Sequence, residues 1–419
     1  MRTFLTADIL NSIFSVLWME SMPKKQKTFV GLDIGSTRIR GVEATMSGNK
    51  PQVIGIASLA LDDGIVESGE IKDIPGFSKA LKALWKQGKF TAKDVRIVIN
   101  SENNIAKLSS VTDEKDFGKT LPFKLKKVEV FNVDEYYLSY HTIRKYTIQE
   151  PDTSRVEGYK VVPKRDIFLA AAKRVSIDSL VTAFNAADLR PLSVDIAPLA
   201  LIRAESLEGI QDLSDEAIDI HINVGGDMTT IVISSLDQPV YMRIIDIGGN
   251  SITEAIAQKL DVDYAYAEKL KFDTVVMNPS LTKNSNNNGG IFDDDTDQSA
   301  NDGYTRDQLD AFDVVTDELS AIINNINRTI VYFIEQNQLG LGEIIDTVYV
   351  SGGTAAFEQI IRRLTHEIGA EQTILSNPVS ILMEKGMISK SVAEQLTERE
   401  HEYTLAVGAI LGHGGHTDE

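Results

Sequence analysis

The sequence predicts an α/β chain of two related lobes around a cleft, with duplicated mixed sheets and a small inserted α+β subdomain in the first lobe. Three observations predict it. The strand–turn–strand pattern "GLDIGSTRIRGVE", from Gly31, returns as "HINVGGDMTTIVI", from His221. Asp33 then lines up with Asn223, Gly35 with Gly225, and Ser36 with Gly226. In both halves the apolar runs come first as meanders and then alternate with helical crossovers, which makes each sheet mixed.

Composition sets the bounds. The chain has 419 residues, enough for two substantial cores, and 42% are hydrophobic, as in a folding chain. The formal net charge of −19 argues against a global nucleic-acid binder, since phosphate backbones select the opposite sign. With no cysteine, disulfides, thiolate zinc sites and thiol catalysis are excluded, and a reducing cytoplasm is compatible. No stretch approaches the roughly 20 apolar residues of a membrane span.

Residues 1–27 form an N-terminal extension. Phe4, Leu5, Ile9, Leu10, Ile13, Phe14, Leu17 and Trp18 have loosely helical spacing, interrupted by Asp8. An upstream start before Met22, a short extra helix, or an interfacial helix backed by Lys24, Lys25 and Lys27 all remain open. No signal-peptide cleavage pattern follows.

The first lobe is expected over 28–100 and 166–203. After the opening hairpin, "PQVIGIASLAL" reads as a third strand, Phe77–Gln87 as a helix and "DVRIVIN" (Asp94–Asn100) as a buried strand. Residues 101–165 are more polar and read as the inserted subdomain. "DIFLAAA" (Asp166–Ala172) is expected to return to the main sheet, and Ser176 to cap a helix that buries Leu180, Val181 and Phe184. "RPLSVDIAPLALIRA" reads as a strand and a helix linking the halves.

The second lobe is expected over 204–412, before a tail at 413–419. Strands are predicted at Ile218–Val224, Thr229–Ser234 and Val240–Ile245. Ser251 and Glu254 suggest a capping box. The Asn-, Asp- and Gly-rich stretch 278–304 reads as a flexible loop. A long helix follows from Arg306 to Gln338, ended by Gly340. "IDTVYVSGGTAAFEQII" is strand, glycine turn and helix, and "EYTLAVGAILG" a final small-residue helix.

The glycine turns carry the chemistry. A tight Gly-Ser/Thr turn exposes backbone N–H groups that can hold phosphate oxygens. Asp33, at a strand end, could hold Mg²⁺, which takes one or two carboxylates and keeps waters. Gly225, Gly226 and Thr229 could face the same phosphates, and Gly352 and Gly353 open a helical segment toward the nucleoside. A single turn of this kind is most simply a hairpin; three in this order in two similar halves point to one site.

"GLDIGSTRIRGVE", "INVGGDMTTIVIS" and "VYVSGGTAAF" resemble the phosphate-1, phosphate-2 and adenosine motifs of the actin-like ATPase superfamily. Within it the chain is most similar to the PilM family of type IV pilus assembly, and next to FtsA, from about Thr28 to Gly412. The resemblance implies a two-lobed actin-like fold that binds ATP and Mg²⁺. Gly35, Ser36 and Thr37 would hold phosphates with Asp33 near the metal. Gly225, Gly226 and Thr229 would form the opposing loop, Glu268 and Lys271 would contact ribose or base, and Gly352, Gly353 and Thr354 would line the adenosine pocket. Asn223 stands where an acidic residue is usual; as a nucleotide-binding residue its amide can still hydrogen-bond to water or phosphate, but it cannot act as a base or attract Mg²⁺ with charge. Hydrolysis is therefore expected to be weak or absent. The implied partner is the N-terminal cytoplasmic tail of a bitopic inner-membrane PilN-like protein, docking near the insertion. The implied location is the cytoplasm at the inner face of the membrane, with peripheral membrane association and self-association left open.

Other features read more plainly. Lys119, Lys124, Lys126 and Lys127 read as a solvated face before a patch for an acidic partner or membrane. Tyr136, Tyr137 and Tyr140 read as packing before peptide binding, and "HGGH" (His413–His416) offers too few ligands for a metal. Two alternatives stand beside the scaffold: an FtsA-like membrane-tethered filament, and a small-molecule kinase, for which no carboxylate base stands out.

Overall fold

The structure is a computed structural model. It describes residues 28–412 apart from 49, 129–131, 152–157, 208–217, 236–237, 277–303, 337–344, 371 and 397–398. The N-terminal extension, "HGGH" and the loop expected at 278–304, up to residue 303, lie outside the described residues, as does Gly340.

In the first lobe β1 (Thr28–Ile34), β2 (Arg38–Ser47) and β3 (Lys50–Ala60) form an antiparallel meander. A short hairpin of β4 (Val66–Glu67) and β5 (Glu70–Ile71) leads to α1 (Ile74–Gly88). The helix begins before the predicted Phe77 because Asp73 caps it, accepting the Gly76 N–H at 3.1 Å, and Pro75 sits in its first turn. Then β6 (Asp94–Ile99) pairs parallel with β1.

The chain next builds a separate three-stranded sheet from β7 (Ile105–Thr112), β8 (Tyr136–Pro151) and β9 (Tyr159–Lys173), covered by α2 (Phe117–Val128). This corrects one expectation. Asp166–Ala172 belongs to β9, in the small sheet, and does not return to the main one. Its two faces explain the misreading. Ile167 and Leu169 pack with Phe117, Leu121 and Leu125, while Phe168, Ala170 and Ala172 join the first-lobe core. A strand buried on both faces reads as a continuous apolar run, like a central strand.

α3 (Arg174–Ala186) follows, then β10 (Arg190–Ile196) and α4 (Ala197–Glu205). Ser176 does not cap α3. The helix already starts at Arg174, and the Ser176 hydroxyl donates to Glu70 at 3.2 Å.

The second lobe repeats the plan with β11 (Ile218–Val224), β12 (Thr229–Ser235), β13 (Gln238–Ile245), α5 (Gly249–Leu260), α6 (Tyr264–Asp273), α7 (Arg306–Gln336), β14 (Ile345–Ser351), α8 (Glu358–Ile368), β15 (Gln372–Leu375), α9 (Pro378–Glu384) and α10 (Thr404–Leu411). Its sheet order is β13-β12-β11-β14-β15, and that of the first lobe is β3-β2-β1-β6-β10. Strand for strand the topology is the same: a meander, then two parallel additions. The expected capping box is shifted. Ser251 lies at the third position of α5, where its hydroxyl accepts the Gly248 N–H at 3.5 Å.

Two helices fasten the lobes together. α10 is buried at every residue and packs on α4 and β1. At the end of α4, the Glu205 carboxylate lies 2.7 Å from His221 Nδ1 on β11, and His221 Nε2 lies 2.8 Å from the Ser234 hydroxyl on β12. This Ser–His–Glu trio has the composition of a hydrolytic triad, but all three residues are buried, and its effect is to tie α4 to the second sheet.

Candidate functional site

A cavity of about 340 Å³ opens between the lobes, and the glycine turns form its floor. The β1–β2 turn closes when the Gly35 N–H donates to the Arg38 carbonyl at 3.1 Å. The β11–β12 turn closes the same way, from Gly225 to Met228 at 2.9 Å. The two turns touch. A Cβ on Gly226 would lie 2.7 Å from Ser36 Oγ, so glycine is what lets the lobes meet there. That Ser36 hydroxyl is buried without a protein partner, as a group waiting for a ligand would be.

The third turn rests on the second. Gly352 has φ +93°, and a Cβ there would overlap the Val224 carbonyl oxygen. The Thr354 hydroxyl donates to the Gly225 carbonyl at 3.2 Å. Asp33, Gly35, Ser36, Thr37, Asn223, Gly225, Gly226, Gly352, Gly353 and Thr354 all line the cavity. Thr229 does not. It is fully buried at the start of β12, and its hydroxyl donates to the Ile247 carbonyl at 2.7 Å.

Glu268 and Lys271 line the far wall, on α6, as an ion pair at 2.6 Å. Lys271 is buried and also donates to the Gly249 carbonyl at 3.1 Å and to Thr253 at 2.8 Å. Burial lowers its pKa, and Glu268 opposes that shift. Tyr264 and Phe272 stand beside them. Burial, with the Glu268 charge, pushes the Tyr264 hydroxyl up to about 12.

The acidic side is less simple. Asp33 is buried at the end of β1, 3.6 Å from the Arg40 guanidinium. Burial outweighs Arg40 and raises its pKa to about 6. The Asn223 amide donates to the Ser351 hydroxyl at 3.1 Å. Asp227, the nearby acid that could compensate for Asn223, is already engaged: it accepts from the Ser68 backbone at 3.0 Å and from Asn250 at 2.6 Å.

Some of the site has no local signature. Gly249 and Asn250 open α5 on the second turn, donating to the Gly225 and Gly226 carbonyls at 2.9 and 2.8 Å. The pair "GG" before a helix was the available signal. Arg38, Arg40, Arg399 and Glu402 crowd the cavity's other end, and nothing in the local sequence links residues so far apart.

The donor set fits a metal only in company with phosphates. Among the described residues no group of three His, Asp or Glu could hold a bare ion. One buried carboxylate beside phosphate-binding turns is what Mg²⁺ needs when a nucleotide supplies the other oxygens. Asp33 is the residue that would hold it, and Ser36 and the turn amides would face the phosphates.

A family model described as type IV pilus assembly protein PilM matches residues 31–279, more than half of the chain. The chain belongs to the PilM family. A model of the cell division protein FtsA matches residues 220–408. Among solved structures, a PilM–PilN type IV pilus biogenesis complex superposes with a TM-score of 0.70 at 19% identity, over 93% of this chain and 99% of that one. The ethanolamine utilization protein EutJ from Carboxydothermus hydrogenoformans gives 0.47 at 13% identity, over 97% of each chain. MreB5 of Spiroplasma citri bound to AMPPNP gives 0.44 at 14% identity, over 89% of this chain and 99% of that one. The PilM match and the superposition on the PilM–PilN complex give the two-lobed actin-like fold expected of a PilM. No helix among the described residues is long and apolar enough to cross a membrane.

Proposed function

We propose that this PilM-family protein is an ATP-binding cytoplasmic scaffold of type IV pilus assembly. The observation that carries the nucleotide part is the convergence of three glycine turns on one cavity, with Ser36 Oγ buried and unpartnered among them. ATP with Mg²⁺ sits there, phosphates on the Gly35–Thr37 and Gly225–Gly226 turns, metal at Asp33, and nucleoside toward Glu268, Lys271 and Gly352–Thr354. Turnover is slow or absent. Asn223 offers an amide in place of a carboxylate, and Asp227 is spent on Ser68 and Asn250.

The partner is the N-terminal cytoplasmic tail of a bitopic inner-membrane protein like PilN, which holds the scaffold at the membrane's inner face. The similar PilM–PilN complex supports this. So does a second cavity, of about 190 Å³, between the small sheet, α4 and the start of β13 at Gln238 and Pro239. Tyr140, Phe168, Leu199 and Ile202 give it apolar walls suited to a short tail. In domain terms the insertion, whose small sheet runs on to Lys173, carries docking, and the two lobes carry the nucleotide. Nucleotide that bridges the turns favours one lobe arrangement by linkage, with no chemistry required.

The FtsA match gives a second reading, a membrane-tethered division filament. It covers only the second lobe, while the PilM match crosses both lobes. A pull-down from gently solubilised native membranes tests the scaffold. Single-span pilus proteins should be recovered, and lost when residues 101–165 are replaced. Recovery of the tubulin-like division protein instead would move the assignment to FtsA.

A further inference from the structure

Three guanidiniums, those of Arg38, Arg40 and Arg399, meet at the phosphate end of the main cavity, and Glu402 grips two of them. Its Oε2 accepts from Arg40 at 2.6 and 3.1 Å and from Arg399 at 3.0 Å, and its Oε1 accepts from Arg399 at 2.7 Å. A carboxylate held by two forks makes the same contacts that a phosphoryl group makes, because both present paired anionic oxygens to planar N–H donors. Arg38 is placed differently. It donates to the neutral Ser58 hydroxyl at 3.2 Å, and burial together with repulsion from Arg399 and Arg40 lowers its pKa. Three guanidiniums face two carboxylates in this corner, Glu402 and, 3.6 Å from Arg40, Asp33, which favours a further negative group.

We propose that Glu402 is an internal stand-in for the terminal phosphoryl group of a nucleoside triphosphate, and that Arg38 and Arg399 distinguish triphosphate from diphosphate. The inference rests on the nucleotide reading above and adds a specificity device to it. When a triphosphate takes the guanidiniums, Glu402 is released. Its neighbours carry the consequence. The His401 carbonyl accepts the Gly352 N–H at 3.1 Å, on the third glycine turn. Thr404 begins α10, the buried helix packed on α4 and β1. The same short segment thus touches the adenosine turn, the phosphate cations and the helix that fastens the lobes.

Calorimetry on the full chain tests this, with a non-hydrolysable ATP analogue and with ADP, both with Mg²⁺. Glu402→Gln removes the competing charge and should tighten the analogue roughly tenfold and ADP by less than about threefold. Arg399→Gln should weaken the analogue and leave ADP nearly unchanged. A Glu402→Gln protein with native circular dichroism and an unchanged ratio of the two affinities would overturn the proposal. If that variant does not fold, Arg399→Gln decides alone: a lowered ratio supports the stand-in, and an unchanged ratio overturns it. Wild-type protein that binds neither nucleotide defeats the nucleotide reading, and the proposal with it.

Discussion

The Arg40 guanidinium donates to the Glu402 carboxylate at 2.6 Å, joining β2 to a segment 362 residues further along the chain. The same guanidinium lies 3.6 Å from Asp33. The two carboxylates shift in opposite directions. Glu402 is drawn down to about 2; burial opposes the shift, and Arg40 and Arg399 outweigh it. Asp33 is pushed up to about 6, because burial outweighs Arg40.

The signs give a pH prediction. Glu402 contributes stability above its ordinary value of 4.5, which is lost as pH falls toward about 2. Asp33 acts in reverse. Its native state holds a proton between 3.8 and about 6, so its contribution is full at low pH and is lost as pH rises through that window. Asp33→Asn should therefore remove a decline in stability between about pH 4 and 6, and gain on the order of 3 kcal/mol over wild type at neutral pH. Urea melts across this range check it; parallel pH profiles for the two proteins would refute it.

Binding should move the other way. Asp33→Ala should weaken Mg-ATP about tenfold or more, roughly 1.4 kcal/mol, while the fold persists. Asp33 would then be a residue whose burial costs stability and whose carboxylate serves the ligand. Unchanged affinity by calorimetry would remove Asp33 from the site.

Asp227 spans the cleft. It sits on the second-lobe turn and accepts the Ser68 N–H of the first-lobe hairpin at 3.0 Å. A hydrogen bond to a charged group contributes about 1.5–3 kcal/mol. Asp227→Ala should therefore speed amide hydrogen exchange at Ser68 by roughly tenfold or more, with global stability changed less. Exchange at Ser68 that matches wild type would show that the lobes do not lean on this bond.

The duplicated plan is legible in the sequence because strand pairing and glycine turns are local patterns. Ile218–Val224 reads directly as the strand it is, since apolar residues alternate along "IDIHINV" up to a glycine turn, although the structure buries all seven residues. What escapes is set by tertiary contact. Asp166–Ala172 misleads because β9 buries both faces, one under α2 and one in the lobe. Thr229 looks like a phosphate ligand by its place after "GGDM", but the strand pleat turns it to the Ile247 carbonyl. The Arg40–Glu402 pair has no sequence signal, since neither residue sits in a motif that names the other. The fold is thus more legible than the charges around its cleft.

Gly408 makes the sharpest stability test, because packing and propensity predict opposite signs. It lies inside α10, where Gly→Ala would ordinarily stabilise a helix by about 1 kcal/mol. Here a Cβ would overlap the Ala200 carbonyl oxygen on α4. The contact is backbone, so no rotamer change relieves it. Both helices are held from outside as well: Arg203, on α4, donates to the Gly408 carbonyl at 3.2 Å, and Arg96, on β6, to the Ile410 carbonyl at 3.4 Å. Overpacking of this kind costs about 1–3 kcal/mol, enough to reverse the propensity gain. Gly408→Ala should therefore lower the melting midpoint by several degrees, on the order of 2–4 °C per kcal/mol for a chain of this size or somewhat less. Because α10 fastens the lobes, the same variant should also lower nucleotide affinity. A midpoint that rises would show that α4 and α10 are further apart than the structure places them.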